Sequence, residues 1–193
     1  MNISTVKRIF FDNLVYGFSE RGKNSKMFPM ERLPGYGRCF MCGRVNPRGL
    51  RLELFIDGDV VVTEFKLEDF LIGYEGIIHG GVQAGILDEV MWWASSWGSQ
   101  RATYTADMSI RYKRPAPINH RFRAVGKLIG MDNRFVYTEG EIVDLEDQRV
   151  CTTASGRYYI LSEEKSRELF GLLDYSNCSE EVKKRYLKSE KPY

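Results

Sequence analysis

The sequence lacks the features that mark membrane proteins and dedicated nucleic-acid binders. It has no apolar run long enough to span a bilayer. Neither sign of charge dominates, because 28 basic residues face 26 acidic ones and the net charge is +2. Nucleic-acid binders usually carry a strong basic excess, so this balance argues against that function. With 193 residues, 43% of them hydrophobic, the chain suits one globular domain with short additions.

Residues that bind metals are scarce, with two histidines and four cysteines in the chain. Cys39 and Cys42 form a C-x-x-C motif, but the remaining cysteines and histidines supply no second close pair. Zinc usually takes four ligands, and the motif lacks the setting of a thioredoxin-like redox centre. We therefore interpret it as a tight turn leading into the first strand, and expect neither a metal nor a cofactor.

The N-terminal segment has basic residues ahead of apolar ones, but Asp12 and Asn13 interrupt the apolar part. A signal peptide needs a continuous apolar centre, so a short amphipathic helix is the better interpretation. Its apolar face would contain Val6, Ile9, Phe10 and Leu14. We accordingly expect a cytoplasmic protein with reduced cysteines.

Hydrophobic periodicity predicts one long helix among antiparallel strands. Residues 50–56 alternate, Asp57-Gly58 offers a tight turn, and VVVTEF follows as the return strand of a hairpin. A loop over 68–78 precedes a largely apolar helix from His79 to about Trp97. The later strands are expected at 103–112, 122–129, 135–144 and 150–160. This order predicts an α+β fold whose sheet wraps the helix, with an N-terminal helix and arm over 1–38, a central domain over 39–161 and a charged, helix-prone tail over 162–193.

The start of the long helix, His79-Gly80-Gly81, resembles an anion-binding site. The first helical turn has backbone N–H groups without internal partners, and the helix dipole favours negative charge there. Glycines let a substrate approach this backbone closely, so the turn could stabilise a carbonyl that becomes tetrahedral. The alternative is that the two glycines only allow the helix to pack tightly on the sheet.

Asp88 lies among apolar residues of the same helix. Burial of an unpaired carboxylate is unfavourable, so Asp88 is either hydrogen-bonded for structure or retained for chemistry. We expect the neighbouring Glu89 to be solvated or at an interface.

Gly80 and Asp88 are about 12 Å apart along one helix, too far for one small reacting group to touch both. Two antiparallel helices across a two-fold axis would bring them together, so the site is expected to be shared in a symmetric dimer.

These motifs resemble the hotdog-fold acyl-CoA thioesterases, and more narrowly their PaaI-like branch from phenylacetic acid degradation. The resemblance covers roughly residues 37–161. The matching residues are Cys39-Phe40-Met41-Cys42-Gly43, Asn46-Pro47, Gly49-Leu50, Gly76-Ile77-Ile78-His79-Gly80-Gly81, Ala84, Leu87-Asp88-Glu89, Thr105-Ala106-Asp107-Met108-Ser109-Ile110-Arg111-Tyr112 and Arg114-Pro115. Many relatives carry Asn or another polar residue shortly before the motif histidine, where this chain has Gly73-Tyr74-Glu75-Gly76.

The resemblance implies hydrolysis of an acyl-CoA thioester by a homodimer or a dimer of dimers. Asp88 would be the general base or nucleophile, and the Gly80 N–H would polarise the thioester carbonyl. His79 would shape the loop, and Thr105 would help to hold the attacking water.

We expect four other residues to contribute to substrate binding. Gly81 belongs to the same motif as Gly80. Arg111 and Arg114 suit the phosphates of coenzyme A, although a solvated strand end is the alternative. Tyr74, with the tryptophans of the helix, would favour bulky acyl groups. Two other functions stay open: a hotdog protein that binds acyl-CoA or a related acid without turnover, and an acyl dehydratase, which would need a catalytic histidine outside the loop motif.

Overall fold

A seven-stranded antiparallel sheet is the largest element of the computed structural model, which describes residues 30–187. The strands in chain order are β1 (Glu31–Arg32), β2 (Phe55–Asp57), β3 (Val60–Phe65), β4 (Ile72–Tyr74), β5 (Ile77–Ile78), β6 (Thr103–Tyr112), β7 (Phe122–Met131), β8 (Phe135–Asp144) and β9 (Arg149–Ile160). The order across the main sheet is β1-β2-β3-β7-β8-β9-β6, and β4 pairs with β5 in a separate ribbon. Strand β6 therefore forms one edge of the sheet.

One long helix, α1 (Gly80–Ser99), lies against this sheet. It begins where the His79 side chain accepts a hydrogen bond from the Gly81 N–H, and it ends at Gln100, whose φ of 54° is left-handed. Its fully buried positions include Ile86, Leu87, Val90, Met91 and Trp93. Gly126 of β7 allows α1 to pack closely on the sheet, because a Cβ at that position would collide with the backbone of Val90 in α1.

The opposite side of α1 is covered by segments outside the sheet. The side chain of Met41 lies directly against Gly85. Two C-terminal helices follow the sheet, α2 (Glu163–Gly171) and α3 (Glu180–Tyr186). The ring of Tyr186 packs against Trp93 and Trp97, at centroid distances of 5.9 and 6.1 Å. The helix is thus buried on most sides, but the sheet alone does not wrap it.

The predicted α+β hotdog architecture is confirmed, with three local corrections. Residues 50–54 are not a strand, although Leu52 and Leu54 are buried as the alternation predicted. Their backbone pairs irregularly with residues 33–41; the Leu52 N–H, for example, donates to Met41 O at 2.8 Å. The expected loop at 68–78 contains a 3-10 turn, Asp69–Leu71, and the β4–β5 ribbon. The long helix begins and ends later than expected, at Gly80 and Ser99. The helix predicted near residues 6–14 lies outside the described residues.

Within residues 30–187, no helix has both the length and the apolar character needed to cross a membrane. All four cysteines are free thiols.

Candidate active site

The first turn of α1 presents one backbone donor without a protein acceptor. The His79 N–H donates to Leu71 O at 2.9 Å, and the Gly81 N–H donates to His79 Nδ1 at 2.9 Å. Between them, the Gly80 N–H has no acceptor among residues 30–187. A free N–H at the positive end of a 20-residue helix is suited to bind an oxygen that gains negative charge.

His79 has a structural part in this turn. Its Nδ1 is used as an acceptor by the Gly81 N–H, so a neutral ring carries its proton on Nε2. The same hydrogen bond occupies the Gly81 N–H and leaves Gly80 as the open donor. The side chain of His79 is itself exposed.

Tyr112, at the end of β6, lies against the same turn. Its hydroxyl donates to the Gly80 carbonyl oxygen at 2.9 Å. Its ring is so close that a Cβ at position 80 would lie 3.2 Å from the ring carbon that bears the hydroxyl. Glycine at position 80 therefore lets the ring lie in this place, and a side chain there would require the ring to shift by a few tenths of an ångström. Sequence reasoning did not assign Tyr112 to the site, although it follows Arg111 in the matching motif.

Asp88 is half-buried on α1 and is held by two hydroxyl groups. Thr105 Oγ1 donates to Asp88 Oδ1 at 2.9 Å, and the Tyr158 hydroxyl donates to the same oxygen at 3.1 Å. Both donors bind Oδ1, so these contacts fix the carboxylate and leave Oδ2 available. Burial, and secondarily the charge of Asp88, raises the pKa of Tyr158 well above its usual range, so Tyr158 stays protonated and donates.

Tyr158 was missed in the sequence, although a signal for it exists. Residues 152, 154, 156 and 158 of β9 have the same parity and are all buried. A tyrosine at an inward position needs a hydrogen-bond partner for its hydroxyl. What the sequence alone could not supply is the pairing of β9 beside β6, which places Tyr158 near Thr105.

The two halves of the candidate site do not meet within one chain. Both lie on the straight course of α1, about 12 Å apart at the usual helical rise. The structure therefore brings Thr105 to Asp88 and gathers His79, Gly80 and Gly81 in one turn, but separates these two groups.

The residues assigned to substrate binding are dispersed. Tyr74 is 85% exposed on the β4–β5 ribbon. Arg111 lies in a groove on the face of β6, β8 and β9, whose lining residues are Ser109, Arg111, Lys113, Glu139, Thr153, Ala154 and Ser155. Arg114 is just beyond β6, and its guanidinium donates to the Val150 carbonyl at 3.2 Å.

A second polar cluster lies on another side of α1, where Glu89 meets the C-x-x-C turn. Of the two positions expected for Glu89, the solvated one is wrong, because its carboxylate faces Cys39 Sγ at 3.7 Å and accepts a hydrogen bond from Trp93 Nε1 at 3.1 Å, and the interface position stays a prediction. Burial raises the pKa of Glu89 to about 7. The contact with Cys42 lowers the pKa of Cys39 to about 5, and the same contact raises the pKa of Cys42 above its usual range.

Comparison with known proteins identifies the class to which this fold and site belong. Residues 75–151 match the Thioesterase superfamily, and the matched segment contains the whole of α1 with both candidate half-sites. The resemblance to hotdog-fold thioesterases inferred from the motifs is therefore confirmed, and the family match covers residues 75–151.

Particular relatives agree with this assignment. Acyl-coenzyme A thioesterase THEM4 of Bos taurus is 26% identical over 143 residues, which cover 73% of this chain and 58% of that protein. The crystal structure of a thioesterase superfamily protein superimposes with a TM-score of 0.60 at 26% identity, covering 83% of this chain and 80% of the other. The PaaI protein of E. coli shares the fold, with a TM-score of 0.54 at 17% identity over 58% of this chain and 81% of that one. The chain spans 58% and 57% of the length of two curated relatives that it matches.

Proposed function

We propose that the protein hydrolyses an acyl-CoA thioester to a free acid and coenzyme A. The observation that carries this proposal is the Asp88 carboxylate, which two hydroxyl groups hold by one oxygen on a largely apolar helix. The Gly80 N–H at the start of that helix supplies the complementary donor. The similarity to the bovine relative, an acyl-coenzyme A thioesterase, supports the same substrate class.

Asp88 acts as general base or as nucleophile in this proposal. As a base, its free Oδ2 removes a proton from water while the water oxygen bonds to the thioester carbonyl carbon. The carbonyl oxygen becomes an oxyanion, which the Gly80 N–H stabilises. The carbon–sulfur bond then breaks, and the CoA thiolate leaves and takes the proton that Asp88 removed from water. As a nucleophile, Asp88 would instead bond to the carbonyl carbon and form an acyl anhydride as the carbon–sulfur bond breaks and the CoA thiolate leaves. Water would then open the anhydride to the free acid and the Asp88 carboxylate.

A complete site requires Gly80 and Asp88 to come from two copies of the chain. The edge strand β6 carries Thr105 beside Asp88, and most of its residues are exposed. If two copies place their β6 edges side by side, the sheets continue across the dimer and the two α1 helices run antiparallel. Gly80 of one subunit then faces Asp88 of the other. A homodimer or a dimer of dimers fulfils this requirement.

The remaining assignments concern the substrate and its surroundings. Arg111 and Arg114 suit the phosphate groups of coenzyme A, since both lie at the exposed end of β6. Tyr74 and Gly81 would contact the acyl or pantetheine part near the start of α1. A cytoplasmic location remains a prediction from the sequence alone.

The proposal is tested with a panel of acyl-CoA esters and detection of the released thiol. Wild-type protein should hydrolyse at least one ester, and Asp88→Asn should lose most of that rate because its amide cannot accept the proton. Asp107→Asn is the matched control, since this carboxylate lies on β6 but forms an exposed pair with Arg157. An Asp88→Asn variant that turns over as fast as wild type would refute the mechanism. Thermal stabilisation by acyl-CoA without turnover by wild type would instead favour the non-catalytic binding protein.

A further inference from the structure

The C-x-x-C turn and Glu89 place three metal-ligating atoms close together. The two Sγ atoms of Cys39 and Cys42 and a carboxylate oxygen of Glu89 all lie within 4.8 Å of one another. Cys42 is buried, and Cys39 and Glu89 are half-buried. The two cysteines belong to one turn and Glu89 belongs to α1, so tertiary packing has brought two thiols and a carboxylate to one point.

Neighbouring groups orient these atoms for a common centre. Trp93 Nε1 donates to Glu89 Oε1 at 3.1 Å, which turns the other oxygen, Oε2, towards Cys39 Sγ at 3.7 Å. The Met41 N–H donates to Cys39 Sγ at 3.3 Å, a contact that favours a sulfur with negative charge. The turn itself is tight, because a Cβ at Gly43 would lie 2.6 Å from the backbone nitrogen of Cys39. Outer hydrogen bonds of this kind are a regular feature of metal sites.

We propose that Cys39, Cys42 and Glu89 bind one thiophilic divalent cation, for which Zn²⁺ is the best fit. Two thiolates and one carboxylate match the ligand preference of this ion. Tetrahedral zinc with its usual ligand distances places sulfur and oxygen ligands about 3.5–3.8 Å apart, so the observed separations need only small side-chain adjustments. The fourth position is taken by water. From the sequence we expected no metal at the C-x-x-C motif, because the spacing of cysteines and histidines gave no further ligand and did not indicate that Glu89 lies beside it.

The cation would fix an irregular segment to the central helix. Residues 33–54 contain no regular strand or helix in the structure, and Met41 within them packs on Gly85 of α1. A metal bound by both this segment and Glu89 would attach the segment to α1 at the residue that follows Asp88. A disulfide between Cys39 and Cys42 would not use Glu89, whereas a metal site uses all three groups.

The test measures metal binding and is independent of hydrolytic activity. Full-length protein is stripped with a chelator, reduced, and titrated with Zn²⁺ in competition with a chromophoric chelator. Wild type should bind one equivalent, and Co²⁺ should give the thiolate-to-metal charge-transfer absorption of a site with two cysteine ligands. Cys39→Ser and Cys42→Ser should each lose this band. Cys151→Ser and Cys178→Ser are matched controls that should retain it.

Glu89→Gln separates metal binding from folding. Glutamine keeps an oxygen for the Trp93 N–H, so the variant should fold, as circular dichroism will show. Its zinc affinity should fall at least about tenfold, and zinc should raise its melting temperature less than that of wild type. Wild-type protein that binds no zinc, or zinc binding that survives in the Cys39→Ser/Cys42→Ser double variant, would overturn the proposal.

Discussion

Replacing Gly80 by proline removes the N–H that we assign to the thioester oxyanion and leaves the helix start otherwise compatible. Proline is favoured at the first position of a helix, where its missing N–H breaks no internal hydrogen bond. The residue before it, His79, has φ −57° and ψ 134°, an extended conformation that proline accepts in its predecessor. The Gly81 N–H, which caps onto His79, is not altered.

The expected size of the effect follows from the role of a single donor. Loss of one oxyanion-hole hydrogen bond typically lowers kcat by about 10²–10³, or ~3–4 kcal/mol of transition-state stabilisation. Proline also adds a Cβ, which would lie 3.2 Å from the Tyr112 ring. Gly80→Ala carries the same Cβ but keeps the N–H, so it is the matched control. Since the Tyr112 ring is 52% exposed and can shift, alanine should change kcat only about twofold.

The assay is steady-state hydrolysis of the best acyl-CoA substrate, with circular dichroism to confirm that both variants fold. We expect kcat to fall about a hundredfold or more in Gly80→Pro relative to Gly80→Ala. Wild-type kcat values in both variants would show that the Gly80 N–H is not the oxyanion donor. A comparable loss in both would attribute the effect to the Tyr112 contact.

Two further predictions concern hydroxyl and carboxyl groups that are buried in the sheet. Tyr158→Phe removes one of the two donors to Asp88 Oδ1 and should lower kcat about 10- to 100-fold with little change in KM, because a hydrogen bond to a charged group contributes about 1.5–3 kcal/mol. The control is Tyr159→Phe, which alters the exposed neighbouring residue and should leave kcat unchanged. A change in KM alone in Tyr158→Phe would count against a positioning role. Burial raises the pKa of Glu141 from 4.5 to about 7. The unfolded chain therefore loses this proton at lower pH than the folded chain, and wild type loses about 3 kcal/mol of stability as the pH rises through that interval. Glu141→Gln should thus gain about that much relative to wild type between pH 4 and pH 8, measured by urea unfolding, whereas a pH-independent difference would contradict the assignment.

The architecture was accessible from the sequence because its signals are local and periodic. The alternation in residues 103–112 and the apolar surface of residues 80–99 each predict one element without knowledge of its neighbours. The wrong predictions of secondary structure concern segments whose hydrogen-bond partners are not regular strands. Residues 50–54 alternate like a strand, but they pair with a loop rather than with a continuous strand.

The candidate site was only partly predictable for a similar reason. Gly80 and Asp88 could be proposed from the sequence because glycines at a helix start and a carboxylate in an apolar run are anomalies within one short stretch. Tyr158 and Glu89 acquire their surroundings from packing across 70 and 50 residues of sequence, which spacing rules do not capture.

The central claim is that two subunits share each active site, and subunit complementation tests it most directly. Asp88→Asn and Gly80→Pro chains are purified separately, mixed in equal amounts, unfolded and refolded together. If the site is shared, a mixed dimer contains one site with both native residues, and random pairing should restore about one quarter of wild-type activity from two nearly inactive proteins. If each chain contributes both groups to its own site, every site in the mixture carries one lesion. Activity that stays at the level of the separate variants, in a mixture shown to contain mixed dimers, would contradict the account.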